Sequence, residues 1–245
     1  MRAHWIAALS VCGILLAGCA GGEKKDDAAA KPPAAAPATA PASAPAAAPA
    51  KLAGPFQLDG DGFVNNWLIV GPFPNPGERP DNKGFGIDYL KGCGGEAGHV
   101  PAAGMEIATG GAKEGEKRPV KWQAYVGSGG TIDFFGVPHL KIEDQQDDIL
   151  TYSACWIESE KDQDVEVRVG SDDGYKLWMD NKQVGKDVHE YRAAEMDQES
   201  YPVKLAAGKK HLVLIKVDQD WGGYCFMLRV VTKDGKKAAG IKVWN

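Results

Sequence analysis

The sequence predicts an all-β chain that folds as an antiparallel β-sandwich with long glycine-rich loops. Apolar and polar residues alternate with a period of two over residues 165–169 and again over residues 175–179, which is the pattern of a half-buried strand. Glycine and proline, 31 and 15 of the 245 residues, punctuate the chain at short intervals. No window of helical periodicity extends beyond a few turns, so short strands joined by turns are the expected architecture.

The first eighteen residues predict a bacterial lipoprotein signal peptide. Arg2 supplies a positive charge, and the apolar run over residues 5–16 is too short to span a bilayer. Residues 16–19 read Leu-Ala-Gly-Cys, so Cys19 is the expected site of lipidation by diacylglycerol and palmitate. An ordinary secretory signal with a chance cysteine is the alternative. Because Ala20 follows the cysteine, we expect a lipid anchor in the cell envelope, at the outer membrane.

Residues 19–52 predict a disordered tether rich in alanine and proline. Their composition cannot bury enough apolar surface to offset the conformational entropy of folding, and the prolines favour extended geometry. At about 3.1 Å per residue, the tether would reach roughly 100 Å from the membrane. It either lifts the folded part towards a target or serves only as a soluble spacer.

Residues 53–245 are expected to form one large sandwich, or a sandwich with a smaller lobe. Acidic residues slightly exceed basic ones, with a formal net charge of −5 for the chain, and no basic helix or zinc-spaced cysteines occur, so no nucleic-acid partner is expected. Residues 79–118 are predicted to be long loops with one short helix near residues 87–91.

Residues 165–184 predict a hairpin of two strands. Its first turn, residues 171–174, presents adjacent carboxylates in the sequence Ser-Asp-Asp-Gly, and a second turn follows at residues 180–182. Downstream strands are predicted over residues 208–217 and 224–232, bridged by the loop Asp-Gln-Asp-Trp-Gly-Gly.

The order of these segments resembles protective-antigen-like domains and the jelly-roll modules attached to bacterial glycoside hydrolases. The Ser-Asp-Asp-Gly turn is followed by Leu-Trp-Met-Asp-Asn-Lys, then by Gly-Lys-Lys-His-Leu-Val-Leu-Ile-Lys-Val and Trp-Gly-Gly-Tyr. The similarity covers residues 146–236, and it departs at the second turn, where Asp-Gly or Asn-Gly is typical of the group. The resemblance implies a jelly-roll-like sandwich, and it implies carbohydrate recognition more often than catalysis.

Motifs of catalysis are largely missing from the sequence, so no enzyme is expected. Ser128 lacks the first glycine of a nucleophile elbow, and His189 has no second histidine at helical spacing. Residues 59–62 begin like a calcium loop, but Phe63 stands at the next ligand position, which favours a simple turn. A glycosidase needs two carboxylates that flank one bond, and spacing along the chain does not test that separation.

Binding chemistry is what the sequence supports. Sugar sites combine an aromatic platform with carboxylates, and sometimes with calcium. The candidate carbohydrate-binding residues are Asp172, Asp173, Trp178, Asp218, Asp220 and Trp221.

Both candidate tryptophans have packing as their alternative, because extra loops can cover either face of a sandwich. Trp178 is out of phase with its apolar neighbours, so it is expected to face away from their core. Arg192 and His189 are further candidate contacts, with solvent exposure as the alternative. The tryptophans that lie within or at the ends of apolar segments are assigned to the core, namely Trp67, Trp122, Trp156 and Trp244.

The resemblance also implies a calcium site, since an Asp-Asp pair in this kind of loop holds calcium in some lectin-like members. Here Asp172 and Asp173 would be the ligands, with Asn181 or Asn75 assisting. The alternative is that both aspartates stabilise the turn by accepting backbone N–H groups. No other cofactor is expected.

Three cysteines remain in the folded part, Cys93, Cys155 and Cys225, so they cannot all pair. A bridge between Cys155 and Cys225 is one alternative in an oxidising compartment, and burial as small hydrophobes is the other. The sequence as a whole predicts a lipid-anchored, noncatalytic envelope module that binds carbohydrate. A structural lipoprotein that binds another envelope protein, and a small glycan-processing enzyme, are the alternatives.

Overall fold

A computed structural model of the protein describes residues 52–77, 83–111, 113–143, 146–185 and 187–245, which lie in one compact unit. The signal peptide, Cys19 and the tether up to residue 51 lie outside the described residues. Within the described ranges no helix is long and apolar enough to cross a membrane.

Strands make up most of the ordered elements, and only two short 3-10 turns, Gly84–Gly86 and Lys91–Cys93, accompany them in the described part. The strands are β1 Phe56–Gln57, β2 Asn66–Pro74, β3 Glu106–Gly110, β4 Arg118–Lys121, β5 Gln123–Val126, β6 Thr131–Asp133, β7 Ile149–Ser159, β8 Gln163–Asp172, β9 Tyr175–Met179, β10 Lys182–Gln183, β11 Glu199–Leu205, β12 Lys210–Gln219, β13 Cys225–Val231 and β14 Ile241–Trp244.

These strands form two stacked antiparallel sheets and a separate outer hairpin. The large sheet has the order β1-β14-β7-β12-β9-β10, and β2 pairs with both β7 and β5. The small sheet has the order β11-β8-β13-β6, and β3 pairs with β4 as the outer hairpin. The predicted all-β sandwich is confirmed. Strands outside residues 146–236 also build it, namely β1, β2, β5, β6 and β14.

The central strand β7 is buried along nearly its whole length because both faces of the large sheet are covered. Its inner face meets the small sheet in a core that includes Val165, Val167 and Val169, as their alternation predicts. Its outer face lies in a second core, where Trp122 and other large residues pack beneath the outer hairpin. Two cores account for strands that are apolar on both faces.

Trp178 belongs to this outer core. It does point away from Tyr175, Leu177 and Met179, as its phase predicts, but it is only 4% exposed. The expectation that Trp178 is a carbohydrate platform is therefore wrong, because the second face of the sheet is covered. Trp67 lies in the inner core, and the remaining assigned tryptophans pack in or against the outer core, as predicted: Trp122, Trp156 and Trp244.

The predicted first hairpin is corrected by the pairing. β8 pairs with β11 and β13 in the small sheet, whereas β9 pairs with β12 and β10 in the large sheet. Residues 172–174 therefore form an arch from one sheet to the other. The second turn is a true hairpin, in which Asp180 and Asn181 take positive φ values of 49° and 64°.

Residues 83–121 hold more structure than the predicted loops. The outer hairpin of β3 and β4 lies here, and two 3-10 turns replace the single helix expected near residues 87–91. Gly94 and Gly95 have φ values of 104° and 75°, which residues other than glycine rarely adopt, so the 3-10 turn Lys91–Cys93 ends there.

All three cysteines of the described part are unpaired. Cys155 lies in the inner core, whereas Cys225 alternates with the buried Phe226 and so points away from that core. Cys155, on β7 of the large sheet, thus lies between the two sheets, whereas the Cys225 thiol lies on the outer side of the small sheet. The bridge between them is not formed.

Candidate functional site

Two arches cross between the sheets at the same end of the sandwich. The first arch is residues 172–174, and the second arch, residues 218–224, connects β12 to β13. Asp173 donates its backbone N–H to the carbonyl of Asp218 at 3.0 Å, and Asp218 donates to the carbonyl of Gly174 at 3.0 Å. A Cβ at Gly174 would lie 2.6 Å from Asp218 Oδ1 and 2.4 Å from the carbonyl oxygen of Val188, so only glycine permits this approach.

Asp173 fastens the arches to each other through its side chain. It is 1% exposed, and its Oδ2 accepts the backbone N–H groups of Asp220 at 2.8 Å and Trp221 at 3.3 Å. Its Oδ1 accepts the N–H of Arg192 at 3.1 Å. Burial raises the pKa of Asp173, while these three donors oppose the rise. For Asp173, the turn-stabilising alternative describes the geometry.

Asp172 differs from its neighbour because it is half-buried at the surface. Burial, followed by the adjacent charge of Asp173, raises the pKa of Asp172 to about 6, although an N–H bond from Ala194 opposes this. A Cβ at Gly223 would lie 2.4 Å from Asp172 Oδ2, so the glycine lets the second arch pass close to this carboxylate. The carboxylate of Asp172 is thus partly exposed to solvent.

A cavity of about 320 Å³ opens beside Asp172, and we call it the arch pocket. Its aromatic wall is formed by Tyr191 and Trp221, whose rings stack with centroids 5.9 Å apart and planes 18° apart. They are 59% and 57% exposed. The pocket is lined by Asp172, Asp173, Tyr191, Arg192, Ala193, Trp221, Gly222 and Gly223. The two exposed rings next to one carboxylate make a polar and aromatic concavity.

Asp218 and Asp220 belong to the second arch, but their side chains are buried and do not line the arch pocket, so their expected role as direct contacts is corrected. Asp218 Oδ2 is 3.1 Å from His189 Nδ1, and Asp220 Oδ1 accepts Asn75 Nδ2 at 3.2 Å. Burial, then the charges of Asp218 and Asp173, raise the pKa of Asp220 to about 6. Both side chains are buried, Asp218 near the end of β12 and Asp220 just after that strand, so they support the second arch from inside.

Arg192 and His189 are also turned to structural contacts. The guanidinium of Arg192 donates to both carboxylate oxygens of Glu199, at 2.6 and 3.0 Å, and to Ser171 Oγ at 2.9 Å. The ring of His189 stacks on Phe85 with centroids 4.8 Å apart. Arg192 therefore lines the pocket while its charge is directed at Glu199.

The residues expected to bind calcium make other contacts in the described arrangement. Asp173 already accepts three N–H groups, and no group of three or more His, Cys, Asp or Glu side chains in the described ranges is placed to hold a metal ion. Asn75 reaches Asp220 instead of the aspartate pair. Asn181 lies past the far end of β9, about 16 Å along a five-residue strand from the first arch.

Tyr191 is a site residue that was not predicted from the sequence. It lies in the irregular segment between β10 and β11, where no alternation marks which side chains turn outward. An aromatic residue next to Arg192, in a segment without apolar periodicity, is the signal that was present.

No protein-family model matches the chain, and no curated protein matches it. Solved structures show distant similarity. An anti-sigma factor domain-containing protein is 21% identical with a TM-score of 0.39, over 52% of this chain and 42% of that one. A PA14 sugar-binding domain from an RTX adhesin is 20% identical with a TM-score of 0.27, over 34% of this chain and 46% of that one. The PA14 domain of the MpAFP antifreeze protein is 11% identical with a TM-score of 0.36, over 82% and 96%.

The similar region spans less than half the length of the first two of these structures. Two of the three are PA14 domains. With every TM-score below 0.5, these likenesses assign the chain to no family.

Proposed function

We propose that the protein is a lipid-anchored, noncatalytic module of the bacterial cell envelope that binds carbohydrate in the arch pocket. The observation that carries this proposal is the placement of the half-buried Asp172 next to the exposed, stacked rings of Tyr191 and Trp221. The sequence pattern of the two arches supports the same function.

The chemistry of the arch pocket suits a sugar. The C–H face of a pyranose packs on an aromatic ring, and a carboxylate accepts hydrogen bonds from neighbouring hydroxyls, which are stronger than bonds between neutral groups. At about 320 Å³, the pocket is near the lower end of the roughly 300–1,000 Å³ typical of ligand sites. It therefore suits the end of a glycan or a short segment of one.

The test is a glycan array followed by calorimetry on the full-length chain in detergent. Replacing Trp221 by alanine removes an exposed ring, so we expect about a tenfold loss of affinity with an unchanged melting temperature. Val126→Ala is the matched control, because Val126 is 64% exposed and does not line the pocket. Failure of the wild-type chain to bind any glycan or envelope polysaccharide would sink the proposal.

The noncatalytic part of the proposal has its own measurement. The arch pocket presents Asp172 at its surface, while Asp220, the other carboxylate with a pKa raised to about 6, lies buried below. We therefore expect a bound glycan to be recovered intact after prolonged incubation. New reducing ends that disappear in an Asp172→Asn variant would instead favour the glycan-processing alternative.

Calcium binding by Asp172 and Asp173 stays a prediction of the resemblance. Calorimetry of the chain with calcium alone tests it, and the glycan titration is repeated in calcium and in a chelator. Equal affinities in both buffers are what the described geometry favours.

The anchor is tested by replacing Cys19 with serine. A lipidated cysteine holds the chain on a membrane, so the wild-type protein is expected in the membrane fraction and the variant in the soluble fraction. A variant that still sediments with membranes, and a wild-type chain that incorporates no labelled palmitate, would contradict the anchor.

Binding to another envelope protein is the second candidate function. Its support is the exposure of Met196 at 58%, in the same loop segment as Tyr191. If the chain binds no glycan but binds one envelope protein through Tyr191 and Met196, this second function would be favoured.

A further inference from the structure

The charged side chains that line the arch pocket differ in whether they are free to contact a ligand. Its one basic side chain, Arg192, is paired with both oxygens of Glu199 and with Ser171 Oγ. The carboxylate of Asp173 is occupied by three backbone N–H groups and is 1% exposed. Asp172 is thus the charged group that remains accessible from the pocket.

Asp172 has no ion-pair partner among the described side chains. The ion pairs nearest to it in the chain join Arg168 to Glu166 and Asp197, and Lys176 to Asp187. Removing a carboxylate from water without a cation is unfavourable, which is why burial raises the pKa of Asp172. A ligand that brings a positive charge to this carboxylate would relieve that cost.

The aromatic wall favours the same kind of ligand. The faces of tryptophan and tyrosine rings attract cations, and Tyr191 and Trp221 leave more than half of their surface exposed at the rim of the pocket. A carboxylate flanked by aromatic rings is the arrangement that proteins use for ammonium groups. An anionic ligand would meet Asp172 with no available cation to balance it.

We propose that the arch pocket prefers glycans that carry a free amine, such as unacetylated hexosamine units, over N-acetylated glycans and over glycans of uronic acids. The inference rests on the proposed carbohydrate-binding function and names its ligand class. The ammonium group faces Asp172, while the sugar ring packs on Trp221. Acetylation removes the charge and a uronate reverses it, so both weaken binding.

The experiment compares oligomers that differ in this charge. Full-length protein in detergent and chelator is titrated at about pH 6.5, where Asp172 is largely ionised, with a β-1,4-glucosamine oligomer, its N-acetylated counterpart of equal length and an oligogalacturonate. We expect the glucosamine oligomer to bind about tenfold more tightly than the acetylated one, and the uronate to bind most weakly. Asp172→Asn should abolish the difference, whereas Asp164→Asn, at an exposed carboxylate, should preserve it.

Three outcomes overturn the inference, and they are distinguishable. If the oligomers bind equally and Trp221→Ala weakens both, the amine preference is wrong while carbohydrate binding stands. If no oligomer and no glycan on an array binds, the proposed function fails with it. A preference that persists in Asp172→Asn would also overturn the inference, because another group would then recognise the ammonium group of the ligand.

Discussion

Lys216 is a fully buried cation that holds the outer layer of the protein onto the large sheet. Its Nζ lies 2.9 and 2.7 Å from the carbonyl oxygens of Phe85 and Ile87, and 3.1 Å from Glu96 Oε1. Glu96 also accepts the hydroxyl of Tyr152 at 2.6 Å. Burial lowers the pKa of Lys216, and Glu96 opposes this shift. One ammonium thus ties residues 84–96 to β12.

Replacing Lys216 by methionine should destabilise the protein by about 3 kcal/mol, because Glu96 and several carbonyls lose a buried cation. Lys204→Met is the control, since Lys204 has a side chain that is 90% exposed and lies 3.7 Å from its partner Asp164. Urea unfolding gives the free energies, and hydrogen exchange should accelerate in residues 84–96 of the first variant alone. Similar stability in both variants would contradict the anchoring role.

Asp220 makes stability depend on pH in a defined direction. Its pKa is raised on folding from 3.8 to about 6. As pH rises, the unfolded chain releases this proton first, so folding stability falls between about pH 4 and pH 6 and stays lower above that. Asp220→Asn should therefore raise the melting temperature at neutral pH more than at about pH 4. Asp164→Asn should change it little at either pH, and an equal gain at both pH values for Asp220→Asn would contradict the shift.

At the scale of elements, the two arches behave as one unit because Asp173 bonds to both the second arch and the backbone of Arg192. Strands β8 and β9 enter different sheets on either side of it, so its carboxylate replaces the ladder bonds that a hairpin would supply. The shape of the arch pocket therefore depends on Asp173, even though a ligand would contact Asp172.

Asp173→Ala leaves one buried and two part-buried N–H groups without their acceptor, so we expect a loss of about 2–3 kcal/mol in unfolding free energy. Faster hydrogen exchange at Asp220 and Trp221 should accompany it. Asp172→Ala in the same arch should cost clearly less, because its carboxylate is half-exposed. Comparable losses for the two variants would show that the arches are not joined through Asp173.

At the scale of the whole molecule, the unpaired thiols give a direct check of the sandwich. Cys93 is exposed, Cys225 is half-buried and Cys155 is fully buried between the sheets. In the chain lacking Cys19, we expect fast labelling of Cys93, slow labelling of Cys225 and labelling of Cys155 only on unfolding. A melting temperature that falls on addition of reductant would reveal a bridge and contradict this arrangement.

Much of the fold was predictable because strand signals are local. The alternation of Val165, Val167 and Val169 identified the inward face of β8, and the polar turn at Asp180 and Asn181 identified a real hairpin. The outer hairpin was missed because β3 and β4 are short and half-exposed, so their alternation is weak.

The candidate site was only partly predictable. Asp172 and Trp221 line the arch pocket as expected, whereas Asp218 and Asp220 support it from below and Trp178 lies in the outer core. Tyr191 joined the pocket through a loop whose path is set by bonds to residues farther back in the chain, among them those of Arg192 to Ser171 and Asp173. No local pattern records such contacts.

The sequence by itself determined that the protein is built from strands and which side chains of those strands face the inner core. It also identified two acidic segments, one with Asp172 and one with Asp218 and Trp221. Tertiary structure alone decided that these segments are arches between sheets, that they meet at one end, and that the outer face of the large sheet is covered. The physical reason is that a strand with alternating apolar and polar residues can pack its apolar face against any apolar surface. Which sheet a strand joins, and what covers its other face, follow from contacts between residues far apart in the chain.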